Sequence, residues 1–223
     1  MKETANNNVT ELVFILDRSG SMAGLESDTI GGFNALLAKQ KNEDGDCFVS
    51  TVLFDNRCEV LHDRVPLEKV KPLTDKDYTV RGCTALIDAL GGAIHHIGNI
   101  HKYARREDVP ARTLFVIITD GMENASRLYS RAKVREMIER QRTQYGWEFL
   151  FLGANIDAED AAEEIGIPKE FAVEHISDSK GTQVNFGSIS KVIGSVRRCE
   201  AVPADWADDI KADKARRMPG RKR

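Results

Sequence analysis

The chain has 223 residues, with 32 Lys plus Arg against 35 Asp plus Glu, for a formal charge of −3. Charged residues make up 30% and hydrophobic residues 41%, the balance of a globular chain. That balance argues against a dedicated nucleic-acid binder, which would be strongly basic, and no apolar run approaches the roughly 18 residues of a membrane span.

Residues 1–8 are polar and form an expected extension, with no apolar stretch to serve as a signal peptide. Leu12–Leu16 is the first short, unbroken apolar run and reads as a buried strand. Ile30, Phe33, Leu36 and Leu37 follow at three- and four-residue intervals, the spacing of an amphipathic helix. Phe48–Phe54 is a second strand. Asp55-Asn56 then forms a tight turn into Cys58–Leu61, expected as a short antiparallel edge strand. A helix through Leu86, Leu90, Ile94 and Ile97 precedes the strand Leu114–Ile118. Val134, Met137 and Ile138 mark another helix before the strand Phe149–Leu152, and Phe186, Ile189 and Ile193 a last one. From about Pro203 the periodicity fades.

Strands alternating with helices imply right-handed crossovers, so the expected fold is α/β. It is a doubly wound, mostly parallel sheet with one antiparallel edge strand and helices on both faces. The expected domain is 9–198, followed by a solvated basic tail over 199–223 carrying Lys211, Lys214, Arg216, Arg217, Arg221, Lys222 and Arg223. Cys47, Cys58, Cys83 and Cys199 show no metal-finger spacing, so reduced thiols and a cytoplasmic location are expected.

Three stretches stand at element ends. Asp17-Arg18-Ser19-Gly20-Ser21 follows the first strand, Gly82-Cys83-Thr84 precedes a helix, and Thr119-Asp120-Gly121 follows the central strand. In a doubly wound sheet, ligands bind beyond the carboxyl ends of the strands where the order reverses, and all three could meet there. Together they supply two carboxylates and three hydroxyls, without a required imidazole or thiolate. Oxygen-only donors suit a hard cation, Mg²⁺ or Mn²⁺. Taken singly, each stretch has a local explanation. Asp-x-Ser-x-Ser caps helices or closes turns, Thr84 could be an N-cap, and Asp120-Gly121 is a turn.

Asp17-x-Ser19-x-Ser21, Thr84 and Asp120, so placed, resemble the metal-ion-dependent adhesion site of von Willebrand factor A domains. The resemblance spans about residues 9–198, including the Asp-Gly after the central strand and the strand end Phe151-Leu152-Gly153-Ala154-Asn155. It implies a Rossmann-like fold of the stand-alone intracellular type, with an intact site for a divalent cation at Asp17, Ser19, Ser21, Thr84 and Asp120. It also implies a protein partner whose Asp or Glu completes the metal shell, within an intracellular multi-protein assembly and with no catalysis.

An alternative is a Mg²⁺-dependent phosphohydrolase of the haloacid-dehalogenase kind, which also has an aspartate after its first strand. That chemistry needs an acid two residues later, where this chain has Ser19. A nucleotide-binding reading lacks its G-x-G-x-x-G. His95, His96 and His101 do not share the face that a zinc pair needs. Cys83 reads as a small packing residue, and Glu123 and Asn124 as rim or solvated loop residues. Arg18 reads as an arm toward acidic partners or an exposed salt bridge.

Overall fold

Unbroken runs of branched and aromatic side chains are stable only when both faces of a strand are covered, and that demand organises the molecule. The computed structural model describes residues 8–218. Its strands are β1 (Thr10–Asp17), β2 (Cys47–Phe54), β3 (Cys58–Pro66), β4 (Arg112–Thr119), β5 (Glu148–Ala154) and β6 (Ala172–His175), in one sheet ordered β3-β2-β1-β4-β5-β6. All pairings are parallel except β2 with β3, the expected hairpin. The edge strand is longer than the sequence pattern indicated, because β3 continues past Leu61 through a register irregularity opposite Val49–Val52.

The helices are α1 (Glu26–Gln40), α2 (Leu86–Tyr103), α3 (Arg131–Tyr145), α4 (Ala158–Glu164), α5 (Ser179–Arg197) and α6 (Asp208–Arg217). Alternate residues of β1 sort into two cores. Leu12, Phe14 and Leu16 pack with Phe33 of α1, Ile189 of α5 and Ile210 of α6. Val13 and Ile15 pack with Leu90 of α2, Ile138 of α3 and Ala162 of α4. Helices therefore cover both faces, as expected.

The C-terminal segment differs from the expected tail. Residues from about 202 to 218 belong to the packed unit: Trp206, Ala207 and Ile210 are buried in the core, and the Trp206 indole N–H donates to the Glu170 carbonyl at 2.8 Å. Lys214 pairs with Glu174, and Arg217 with Asp213 and Asp178, so these cations are engaged by the domain. Ile210 and Asp213 are the buried residues of α6, too few to make an apolar stripe. Asp208 and Asp209 in its first turn with Lys214, Arg216 and Arg217 in its last are the signal that could have found it, since they complement the helix dipole. Arg221, Lys222 and Arg223, and residues 1–7 of the expected extension, lie outside the described residues.

Val116 is fully buried at the sheet centre, opposite Phe14 on one side and Leu150 on the other. Val116→Asp should leave no soluble, cooperatively melting protein. An unpaired buried carboxylate costs several kcal/mol against a total stability of about 5–15 kcal/mol. Expression, solubility and a thermal melt check this.

Candidate metal centre

The strand order reverses between β1 and β4. From β1 the chain winds outward to β2 and β3, then returns to place β4 on the other side of β1. Leu16 and Ile118 are register partners, so Asp17 and Thr119 leave the sheet side by side. The crevice beyond them is where such folds bind ligands.

There the hydroxyls converge. Ser19 Oγ lies 3.1 Å from Ser21 Oγ, and the Thr84 hydroxyl donates to Ser19 Oγ at 3.0 Å. Asp17 sits beneath them. One carboxylate oxygen accepts the Ser19 N–H at 2.7 Å and the other the Thr119 hydroxyl at 2.7 Å. Asp120 borders the same cleft as Ser21, and its two oxygens accept from the Asn155 amide and the Ser177 hydroxyl. Gly121 explains how the backbone passes so near. A Cβ there would lie 3.0 Å from both Ser21 Oγ and Thr84 Oγ1, inside the hydroxyl cluster. Thr84 does not cap α2, whose N-cap is Ala85; its hydroxyl points into the site.

Burial pushes the Asp17 carboxyl above its ordinary value, against the hydrogen bonds from Ser19 and Thr119. Burial raises Asp120 too, opposed by Ser177 and Asn155 and reinforced by the negative charge of Asp17. Two desolvated, mutually repelling carboxylates gain from a cation between them.

A second group of residues fixes the loops. Asp55, fully buried at the β2–β3 turn, accepts from Arg18 Nε at 3.1 Å and Arg81 Nε at 2.8 Å. Its backbone carbonyl accepts from Ala85, next to Thr84. Arg18 also pairs with Glu59 at 2.8 Å and is only 2% exposed. Both sequence readings of Arg18 are thus corrected: it is a buried tie, neither a free arm nor an exposed salt bridge. Three further bonds join the first loop to the segment leading to Thr84. The Tyr78 hydroxyl donates to the Asp17 carbonyl, Arg81 N–H to the Arg18 carbonyl, and Gly20 N–H to the Gly82 carbonyl. Thr84 is held from the opposite side by Asn124, whose side-chain oxygen accepts its N–H at 3.0 Å.

No family sequence model and no curated protein sequence matches the chain. Solved structures match it in shape. Proximal thread matrix protein 1 from the mussel byssus, with a zinc-occupied MIDAS motif, superposes with a TM-score of 0.57 at 16% identity, covering 87% of this chain and 47% of that one. A von Willebrand factor type A protein from Catenulispora acidiphila gives 0.56 at 14% identity, covering 83% and 42%. The manganese-loaded TRAP protein of Plasmodium vivax gives 0.53 at 18%, covering 81% and 74%. The chain has the von Willebrand factor A fold. It spans about half the length of the byssus and Catenulispora chains.

Within this A-domain fold, all five residues singled out in the sequence come to one crevice. Among the described residues no group of three or more His, Cys, Asp and Glu forms a metal cluster, and the crevice offers a set of three hydroxyls and two carboxylates. That set, with the cradle over Gly121, fits a hard divalent cation. Sequence reasoning missed Asn155 and Ser177 as holders of Asp120. Asn155 has a signal, since it adopts a left-handed φ of 57°, which Asn tolerates better than most residues. Cys83, expected to pack, is exposed. His96 pairs with Asp63 and His101 with Glu11, away from the crevice. No helix among the described residues is long and apolar enough to cross a membrane.

Proposed function

We propose that the chain is a divalent-cation-dependent protein-binding module in which Asp17, Ser19, Ser21, Thr84 and Asp120 hold Mg²⁺ or Mn²⁺, and a partner's Asp or Glu completes the shell. The observation that carries this is the chain of hydroxyls at 3.0–3.1 Å spacing, set against two buried carboxylates at the reversal of strand order. The zinc-occupied and manganese-loaded A-fold structures support a divalent ion. When bound, such a cation supplies an electrophilic position for a carboxylate oxygen, because neutral hydroxyls leave most of its charge uncompensated. The chain's own part is preorganisation. Thr119 and the Ser19 N–H orient Asp17, Asn155 and Ser177 orient Asp120, and Asp55 ties the loops together.

The phosphohydrolase reading is disfavoured by Ser19. The position that would need a protonating acid is a hydroxyl engaged with Ser21 and Thr84, and the residues lining the cleft include no lysine to balance a phosphate. We also propose a cytoplasmic setting, on the cysteine spacing of the sequence, and a place in a multi-protein assembly, which the resemblance to A domains implies.

The test is calorimetry with Mg²⁺ and Mn²⁺, beside phosphatase turnover on a generic substrate. Micromolar-to-millimolar cation binding without turnover is expected. Turnover, or no cation binding, overturns the reading. Thr84→Ala should keep most of the cation affinity and weaken a carboxylate-bearing peptide by about tenfold, roughly 1.4 kcal/mol. Equal losses of both would mean Thr84 serves the ion alone.

A further inference from the structure

We propose that the basic segment following α6, residues 219–223, docks in the acidic cleft beside Asp120 and is released when a divalent cation fills the crevice. The proposal rests on the reading that the crevice holds such a cation, and it adds an occupant from the chain itself.

The last described helix delivers the chain to this cleft. α6 packs on β6 and α5, and Met218, which follows it, lines a cleft of about 470 Å³ with Ser21, Asp28, Asp120, Asn155 and Asp178. Arg217 is fixed one residue earlier by ion pairs to Asp178 and Asp213. A carboxylate of the cleft therefore already holds one cation of the departing segment. The next residues are Pro219-Gly220-Arg221-Lys222-Arg223, which lie outside the described residues. Pro219 has no N–H to continue the helical ladder, and Pro-Gly is a turn signal. Five residues reach at most about 17 Å, enough to cross a cleft of this volume.

The charges match. Asp28 has no cationic partner among the described residues. Asp120 accepts from the neutral Asn155 amide and Ser177 hydroxyl, and Asp17 from the Ser19 N–H and the Thr119 hydroxyl. Glu26 adds a negative charge at the rim, where it accepts the N–H of Gly24 at 2.7 Å. The neighbouring cations are engaged elsewhere. Arg18 pairs with Asp55 and Glu59, and Lys180 with Asp213 at 3.5 Å, while Arg216 borders a different cleft between α5 and α6. Asp17, Asp28 and Asp120 thus offer three uncompensated carboxylates to three tail cations. A dication held by Asp17 and Asp120 cancels two of those charges, so cation and tail must weaken each other by the same factor.

The opposite wall of the crevice offers no such imbalance. Asp88 accepts the N–H groups of Arg127, Leu128 and Tyr129 at 2.8–2.9 Å, and Glu123 those of Ile87, Ala125 and Ser126 at 2.8–3.0 Å. These carboxylates fasten the β4–α3 loop to α2, with Arg127 in the same loop. Glu123 and Asn124 are therefore neither rim contacts nor solvated loop residues; they hold the loop and Thr84 in place.

The experiment is carbodiimide cross-linking of the full chain at low salt, which joins the Lys222 amine to a touching carboxylate with loss of water. Peptide mapping uses a protease that does not cut at Lys or Arg. A Lys222–Asp28 cross-link is expected in EDTA, and about fivefold less of it in saturating Mn²⁺. By calorimetry, the triple variant Arg221→Gln, Lys222→Gln, Arg223→Gln should bind Mn²⁺ about fivefold tighter than wild type at low salt, with the difference gone at about 0.5 M salt. The same tail substitutions should gain less in an Asp28→Asn background. Absence of the Lys222–Asp28 cross-link in EDTA overturns the docked tail and leaves the cation reading standing. A cross-link unchanged by Mn²⁺ that calorimetry shows to be bound overturns the release. No Mn²⁺ binding by wild type overturns the cation reading and the release with it. A cross-link found only in covalent dimers assigns the tail to a second copy and overturns the contact within one chain.

Discussion

Asp17→Ala is expected to melt at the same temperature in Mn²⁺ and in chelator, whereas the wild-type chain rises by roughly 5–11 °C in Mn²⁺ at a hundredfold excess over its dissociation constant. The arithmetic is linkage. Saturation at that level adds about 2.7 kcal/mol to the folded state, and each kcal/mol moves the midpoint of a chain this size by about 2–4 °C. Asp17 is the carboxylate at the centre of the site, and Ala removes it entirely. In chelator the variant should lose little. Its Ser19 N–H and Thr119 hydroxyl lose an acceptor, which costs about 1–3 kcal/mol. Against that, a desolvated carboxylate that repels Asp120 is gone, and Thr119 keeps the Gly121 carbonyl at 3.2 Å. Scanning calorimetry of both proteins, with and without EDTA, decides the matter. A cation-dependent rise retained in Asp17→Ala would place the ion elsewhere.

Asp55→Asn should have the larger effect on the fold itself. The substitution leaves the buried Arg18 guanidinium with Glu59 as its remaining ion-pair partner, and Glu59 is half exposed. Breaking a buried pair in this way typically costs about 3–5 kcal/mol, because a charge is left without full compensation. Asp55 is pulled two ways. Burial raises its pKa, but the hydrogen bonds from Arg81 and the Arg57 N–H and the charges of Arg18 and Arg81 outweigh that and hold it below its ordinary value. A lowered carboxylate pKa contributes stability above the ordinary value and loses it as pH falls through the folded-state value. The gap between wild type and Asp55→Asn should therefore be full at neutral pH and narrow in acid. Because the same residue ties Arg18, Arg81 and Ala85 together, cation affinity should fall as well, although Asp55 is no ligand. Urea unfolding at several pH values, with cation titration of the folded variant, checks both. A loss under 1 kcal/mol at neutral pH would show the tie to be ornamental.

Much of this molecule was written in its apolar spacing. Leu12–Leu16, Leu114–Ile118 and Phe149–Leu152 are continuous because parallel strands here are covered on both faces, so the buried strands and the α/β alternation were legible without coordinates. The five oxygen-bearing residues that meet in the crevice were legible too, since their types and their places at strand and helix ends are local facts. β6 and α4 were not, because four-residue and seven-residue elements carry too few side chains to show a period. Nor was α6, whose buried residues are only Ile210 and Asp213.

What only the tertiary structure decided is how charged and polar residues far apart in the chain are used. Arg18 looked free because its partner Asp55 lies 37 residues away, and nothing local marks either as buried. Asn155 and Ser177 reach Asp120 across 35 and 57 residues, and Glu123 and Asp88 fasten a loop whose neighbours in sequence give no sign of it. Apolar burial follows a pattern set by the geometry of each element, so a sequence displays it. A hydrogen bond or ion pair depends on where the sheet order brings two loop ends, and here that order reverses between β1 and β4, a fact held by the whole chain and by no segment of it.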